Sequence, residues 1–272
     1  MVEKKIEALI KQTIESIAPS TDTLTGRASA LSDFCEIFFV MTWLKGTLPA
    51  SYAKDFYCGI GTVVHANMQK WLGVAGSLYG MWECLNCKTI CKEGFGPVTC
   101  TICDTPCTYK EYSLKYKGIS GHCDGLFLID NKFYIFELKT ISLNGLRAIT
   151  KEGPYIYHSN QANMYTLMGQ KLNLPFPLVG NVIVYVARDN YTKFKVFVQN
   201  GIDLKKIENT IKNYYKIKEM FKTGTFKDVQ QKCKVLTDAK YCPYKSLCFR
   251  GNIDETLTYY WNLDKNEEFN KD

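Results

Sequence analysis

The chain has no run of eighteen apolar residues, so hydropathy offers no membrane-spanning helix. It has no apolar signal segment at its N-terminus, and only three histidines in 272 residues. Acidic side chains are the minority, 27 Asp and Glu against 34 Lys and Arg, giving a formal charge of +7 and a pI near 8.7. This modest basic excess suits a polyanionic partner bound with salt-sensitive affinity. Repeats are missing apart from one pair of cysteine triplets. Cysteine itself is plentiful: twelve copies without a signal segment predict a reducing, cytoplasmic setting and metal ligation instead of disulfides. The 18 Tyr and 15 Phe supply core, with some available to stack on unpaired bases.

Chemistry concentrates between Ile119 and Ile141. The segment is rich in Ile, Leu, Phe and Tyr, broken only at Asp130-Asn131-Lys132, and so reads as two strands around a tight turn. With Asp130-Asn131 as the loop, paired positions sum to 261 and Asp124 faces Glu137 at roughly 5 Å between β-carbons. With Asn131-Lys132 as the loop, Asp124 faces Lys139. Either loop sets Asp124, Glu137 and Lys139 on one face. Two close carboxylates need a proton or a cation between them. Mg²⁺ or Mn²⁺ fits, with the Leu138 carbonyl able to join, and such an ion with a nearby lysine suits phosphodiester hydrolysis. The bland reading is a solvated charge cluster. Against it, the charges share their face with Leu126, Leu128, Phe133 and Ile135, and unpaired charges are expensive to bury.

Two predicted helices flank this hairpin. One opens at Gly61-Thr62-Val63-Val64-His65 and runs to about Leu72, offering His65 as a further ligand. The other spans Tyr155 to Leu172 and sets Gln161 and Tyr165 on one face at i, i+4, able to hold a phosphate or base. Strands are expected at Asn181–Ala187 and Tyr191–Val198, with Tyr109–Tyr116 as a fifth member of the central sheet. An apolar stripe of Ile6, Leu9, Ile10, Ile14 and Ile17 predicts a first helix, then a Ser/Thr-rich linker. The segment from Asp264 to Asp272 reads as a polar, fraying tail.

Six cysteines form two triplets, Cys84-x2-Cys87-x3-Cys91 and Cys100-x2-Cys103-x3-Cys107. Two C-x2-C pairs twelve residues apart are a zinc-ribbon signal, because four thiolates satisfy tetrahedral Zn²⁺. Cys84, Cys87, Cys100 and Cys103 are the chosen ligands. Cys91 and Cys107 either substitute for a member or stay as thiols. The insert either guides a nucleic-acid strand, docks a partner or acts as a structural staple.

In order, Gly61…His65, Gly121…Asp124, Glu137-Leu138-Lys139 and Gln161…Tyr165 resemble the RecB-type branch of the PD-(D/E)XK nuclease superfamily, over about residues 27 to 250. Arg27 to Cys35 resembles that branch's opening motif. The pattern is similar to CRISPR adaptation nucleases, the AddB nuclease domain and stand-alone phage exonucleases. The resemblance implies an α/β, restriction-endonuclease-like fold, a central mixed sheet flanked by helices, with an inserted zinc ribbon and a C-terminal cysteine clamp. It implies that Asp124 and Glu137 bind the ion, Lys139 is the catalytic lysine, His65 assists the metal, and Gln161 with Tyr165 supports the site. It further implies a 4Fe-4S cluster on Cys35, Cys242, Cys248 and a fourth cysteine. Ala239 stands where the late trio's first cysteine is expected, so Cys233, or Cys58 in its place, fills the set. The rivals are a second zinc site or buried thiols without metal.

The expected organisation is an N-terminal helical arm and linker over 1–26, a nuclease domain over 27–250 containing the ribbon at 82–108, and a C-terminal helix and tail over 251–272. The expected activity is metal-dependent hydrolysis of DNA, as an exonuclease or end-processing enzyme on single-stranded or frayed ends in recombination, repair or viral replication. Recombination or replication proteins are its expected partners. A structure-specific endonuclease is the second reading, and a non-catalytic zinc-ribbon scaffold that binds nucleic acid is the third.

Overall fold

The structure is a computed structural model that describes residues 26–45, 52–227, 244–248 and 252–269, together with Ile6, Val229, Lys232 and Cys242. The N-terminal arm expected over 1–26 therefore lies almost wholly outside the described residues, as do Cys233 and Ala239. In chain order the elements are α1 (Ala28–Leu31), α2 (Glu36–Lys45), α3 (Tyr52–Val74), β1 (Gly80–Cys84), β2 (Ile90–Gly94) and β3 (Cys107–Lys110). Then come β4 (Tyr112–Tyr116), β5 (Ile119–Cys123), β6 (Gly125–Ile129), β7 (Lys132–Ile141), α4 (Leu143–Glu152) and α5 (Ile156–Gly169). The chain continues through β8 (Leu178–Ala187), β9 (Asn190–Asn200), α6 (Leu204–Thr223), α7 (Lys245–Cys248) and α8 (Ile253–Phe269). The result is a mixed α/β protein of two compact units, one of residues 53–207 and one of residues 1–52 and 208–272.

In the 53–207 unit the central sheet has the order β6-β7-β8-β9, with β7 and β8 parallel and the outer pairs antiparallel. Its first hairpin turns on Asp130 and Asn131, both at positive φ, and Leu126 pairs with Ile135 and Ile129 with Lys132. The register is therefore the one whose pairs sum to 261. Asn and Asp tolerate this left-handed backbone because their short polar side chains bond locally.

Both faces of β7 and β8 are buried, which is why they read as near-continuous apolar runs. On one face Phe136, Leu138, Val182 and Val184 meet Val64, Met68 and Leu72 of α3. On the other, Ile141, Ile183 and Tyr185 meet Leu146 and Ile149 of α4 and Ala162 of α5. Each such fully buried Leu, Ile or Phe contributes about 1.5–3 kcal/mol. Between α3 and the sheet lies an apolar groove of about 690 Å³, whose walls include Trp71, Phe127, Val184 and Phe194.

Two sequence expectations change here. The arm from Ile119 to Ile129 is two strands, not one: β5 pairs with β4 in a separate two-stranded sheet, and β6 pairs with β7. Asp124 is the single residue between them. The segment Tyr109–Tyr116 is likewise divided, β3 joining the cysteine-rich sheet β2-β1-β3 and β4 joining β5. The central sheet therefore has four strands, without the expected fifth.

In the other unit an aromatic chain links α2 to α6. Phe39 meets Trp43 and Tyr214, each at 5.7 Å between ring centroids, and Trp43 meets Phe221 at 5.2 Å. Ile211, Tyr214 and Ile217, three apart on α6, are buried. The indole of Trp261 on α8 donates to the Phe221 carbonyl at 2.8 Å. α8 continues to Phe269, so the polar segment from Asp264 is helical over most of its length.

Candidate metal and catalytic site

The site forms where β6 stops and β7 goes on. Beyond the Gly125–Phe136 pair, β7 has no strand partner on that edge among the described residues, and the Leu138 N–H donates to Asp124 Oδ2 at 2.6 Å. Within a strand a residue's N–H and C=O point to the same side, so the Leu138 carbonyl shares this edge. Gly125 is required at the switch: its φ is +151°, and a β-carbon there would overlap the Tyr109 hydroxyl. That hydroxyl donates to the Asp124 carbonyl at 2.8 Å.

From one face of the sheet α3 delivers His65 and Gln69, four apart and hence on one side. His65 Nδ1 lies 3.0 Å from Asp124 Oδ1, and Gln69 Nε2 donates to the same oxygen at 3.0 Å. The helix can approach because residue 61 is glycine, where a β-carbon would already sit 3.2 Å from Thr140 Oγ1. Glu111, in the link between β3 and β4, comes from a third direction and accepts from Gln69 at 3.5 Å. Ligand atoms of His65, Glu111 and Asp124 all lie within 4.8 Å of one another, a group that could hold a metal ion.

On the opposite face, Lys139 Nζ donates to Glu137 Oε1 at 2.6 Å and to Gln161 Oε1 at 3.0 Å. Gln161 Nε2 donates to the Tyr165 hydroxyl at 3.0 Å. Gln161 and Tyr165 are buried, at 9% and 3% exposure, which sets them apart from ordinary helix surface. The six residues singled out for catalysis thus form two bonded groups, His65 with Asp124 and Glu137–Lys139–Gln161–Tyr165, reaching β7 from its two faces. Glu137 is engaged by Lys139 and is not part of the His65–Glu111–Asp124 group.

The electrostatics follow from burial. Asp124 and Glu137 are 4% and 3% exposed. Desolvation pushes Glu137 up to about 7, the Lys139 charge pulls it down and Asp124 adds to the rise. Burial alone would lower His65, but its hydrogen bond to Asp124 and that carboxylate's charge raise it above the ordinary value. Glu111 is raised by burial and then by Asp124. Oxygen donors with one imidazole suit a hard divalent cation, whose charge would offset this crowding of acids.

Sequence reasoning missed three members. Gln69 carried a readable signal, its i+4 spacing from His65. Glu111 and Tyr109 carried none, because they arrive only through the path of the cysteine-rich sheet.

That sheet holds a second group, Cys84, Cys87, Cys100 and Cys103, which could bind a metal ion such as zinc. Cys84 and Cys103 sulfurs are 3.4 Å apart, and those of Cys87 and Cys100 3.7 Å. The Thr105 hydroxyl and then Cys84 lower the Cys103 thiol to about 6, favouring the thiolate a metal needs. Of the second cysteine group, Cys35, Cys242 and Cys248 fall in the unit of residues 1–52 and 208–272, and Cys58 lies exposed on α3.

No protein-family model matches the chain, and no curated protein matches it. Among solved structures the chain is similar to one described as the crystal structure of SSO0001. Sequence identity is 16% and the TM-score 0.48, over 90% of this chain and 96% of that one.

Proposed function

We propose that the chain is a metal-dependent deoxyribonuclease of the RecB-type branch of the PD-(D/E)XK superfamily, with a restriction-endonuclease-like core. Its reaction is hydrolysis of phosphodiester bonds in single-stranded or frayed DNA, as an exonuclease or end-processing enzyme. The observation that carries this reading is the convergence of His65, Asp124, Glu137, Lys139 and Gln161 on β7 from its two faces, two carboxylates and a lysine among them.

Asp124 and His65, which fall with Glu111 in the group that could hold a metal, would hold Mg²⁺ or Mn²⁺, with Glu137 and the Leu138 carbonyl as the further expected ligands once Glu137 leaves Lys139. Bound there, such an ion polarises a phosphoryl oxygen and lowers the pKa of an attacking water. The chain's own groups do the rest. Lys139, fixed between Glu137 and Gln161, orients a water and offsets negative charge gathering on the scissile phosphate. Tyr165 holds the Gln161 amide in the orientation that leaves its oxygen for Lys139. Gln69 and His65 fix the rotamer of Asp124. The positive net charge supports binding of a polyanion.

The cysteine tetrad is read as a zinc site. A 4Fe-4S cluster is read onto Cys35, Cys233, Cys242 and Cys248, of which the three described ones, Cys35, Cys242 and Cys248, share a unit. Brown, iron-containing protein after anaerobic purification is its expected sign, and colourless iron-free protein removes it.

The deciding assay uses end-labelled linear and closed circular single-stranded DNA with Mn²⁺. Wild type should degrade the linear substrate and spare the circle, and Lys139→Ala, folded by circular dichroism, should lose about a hundred- to a thousandfold of the rate. Full activity in that variant would falsify the assignment, and cleavage of the circle would make the enzyme an endonuclease.

A further inference from the structure

The two cysteine triplets fold as near copies. Cys84 Sγ accepts from the Asn86 and Cys87 N–H groups at 3.3 and 3.4 Å, and Cys100 Sγ from Ile102 at 3.4 Å and from Cys103. The Cys84 N–H donates to the Thr89 carbonyl, and the Cys100 N–H to the Thr105 carbonyl, both at 2.9 Å. The Cys87 thiol meets the Thr89 hydroxyl, and the Cys103 thiol meets that of Thr105. Lys88 and Asp104 hold the equivalent left-handed positions, with φ of 60° and 54°. The cross-contacts obey the same exchange, since swapping the triplets turns Cys84–Cys103 into Cys100–Cys87. An approximate two-fold axis therefore runs through the tetrad.

Under that two-fold the third members, Cys91 and Cys107, exchange with each other, and it is first the Cys107 thiol that pushes the Cys91 thiol up. Cys100 acts on the Cys91 thiol in the opposite sense. The symmetric counterpart of that pair is Cys107 with Cys84, which are direct register partners between β3 and β1. Cys91 reaches this position because it is the extra residue of a β-bulge, where Trp82 pairs with Lys92 and Glu83 with Ile90. Bulges re-aim a side chain that the regular ladder would have placed elsewhere.

A disulfide between Cys91 and Cys107 is disfavoured by the strand order. β2 and β3 flank β1 on opposite edges, so the two Cα atoms sit two strand spacings apart, roughly 9–10 Å. A disulfide needs about 4.4–6.8 Å. A shared metal needs less, because sulfurs around one tetrahedral zinc are about 3.8 Å apart for bonds of about 2.3 Å.

We infer that the six cysteines form a binuclear thiolate centre. One zinc-type divalent ion is held by Cys84, Cys87, Cys100 and Cys103, and a second by Cys91 and Cys107 with Cys84 and Cys100 as bridging thiolates. The two bridging residues are the buried ones, Cys84 and Cys100, while Cys87 lies exposed. Filling the centre with two divalent cations releases six thiol protons to solvent and leaves a net charge of minus two, with no oxidant involved. The inference rests on the reading of the tetrad as a metal site and is independent of the nuclease assignment.

The test uses the full chain, stripped of metal under reducing conditions and titrated with Zn²⁺ or Co²⁺. Metal analysis should give one ion fewer per chain for Cys91→Ser/Cys107→Ser than for wild type, sites elsewhere being common to both. In wild type the Co²⁺ spin signal should rise with the first equivalent bound by thiolates and fall with the second, because shared thiolates couple the two ions. Equal metal content in wild type and the folded variant, or a signal that climbs steadily through both equivalents, overturns the second ion. Absence of any cobalt–thiolate charge-transfer band in wild type removes the tetrad as well, so the two failures are distinguishable.

Discussion

The cysteine cluster and the carboxylate cluster were assembled in opposite ways. Every sulfur lies between Cys84 and Cys107, and each half-turn is held by hydrogen bonds within its own eight residues. The carboxylate site draws on α3, the β3–β4 link, the β5–β6 switch, β7 and α5, from His65 to Tyr165 in sequence. A local site is specified by spacing, so it can form before the rest of the fold. A dispersed site exists only once long-range pairing is complete, and it inherits every tolerance of that pairing. The two are nevertheless joined, since β3 leaves the cysteine sheet and supplies Tyr109 and Glu111 to the surroundings of Asp124.

That junction can be broken at several strengths. Removing metal from the tetrad with a zinc chelator, or replacing Cys84 by Ser, should cost the most, because a structural metal contributes folding free energy directly. The melting temperature should fall by on the order of 10 °C, and cleavage should fall with it even at saturating Mn²⁺. If activity survives full loss of zinc, the two sites are not coupled. Glu111→Gln should come next: it leaves the fold alone and raises the Mn²⁺ concentration needed for half-maximal rate by about 10–100-fold, the usual cost of disturbing a metal's supporting shell. An unchanged metal dependence would mean that Glu111 is only a neighbour.

Smaller effects sharpen the comparison. Tyr109→Phe deletes the one hydroxyl that bonds the Asp124 carbonyl, with an expected loss of about 1–3 kcal/mol in chemical denaturation for the orphaned acceptor. The smallest effect concerns His158, outside both clusters, whose Nδ1 lies 2.8 Å from the Tyr185 hydroxyl. Burial, and then the Lys139 charge, hold it at about 3 against an ordinary 6.5. The unfolded chain takes up a proton below pH 6.5 that the native state refuses, so stability falls as pH drops from 6.5 towards 3. His158→Asn should show a shallower decline of melting temperature between about pH 7 and pH 5. An identical slope in both proteins would show that other groups set it.

The cysteine tetrad was legible because two C-x2-C pairs leave few alternatives. The hairpin was legible as a two-residue turn around Asp130-Asn131-Lys132, but which two residues form it was not: the positive φ of Asp130 and Asn131 makes that choice. Gln161 and Tyr165 followed from helical spacing. The break at Asp124 was missed although Gly121, Asp124 and Gly125 are poor strand formers: they weaken the strand, but the change of sheets shows only in the pairing and in the positive φ of Gly125. The division of Tyr109–Tyr116 left a signal that went unread: apolar positions pass from odd at Tyr109 to even at Tyr112, Leu114 and Tyr116, and the pairing partners change there. Glu111 looked like one exposed acid among many until its neighbours were known.

Asp124 is one residue wide between two ladders, β4–β5 on one side and β6–β7 on the other. Its backbone is therefore positioned twice over, by Tyr112 paired with Cys123 and by Gly125 paired with Phe136. The entropy of placing the carboxylate is met during folding. Slippage in either ladder alone would be resisted by the other, so under the proposed activity the carboxylate would be a fixed point to which a substrate and its ion adjust.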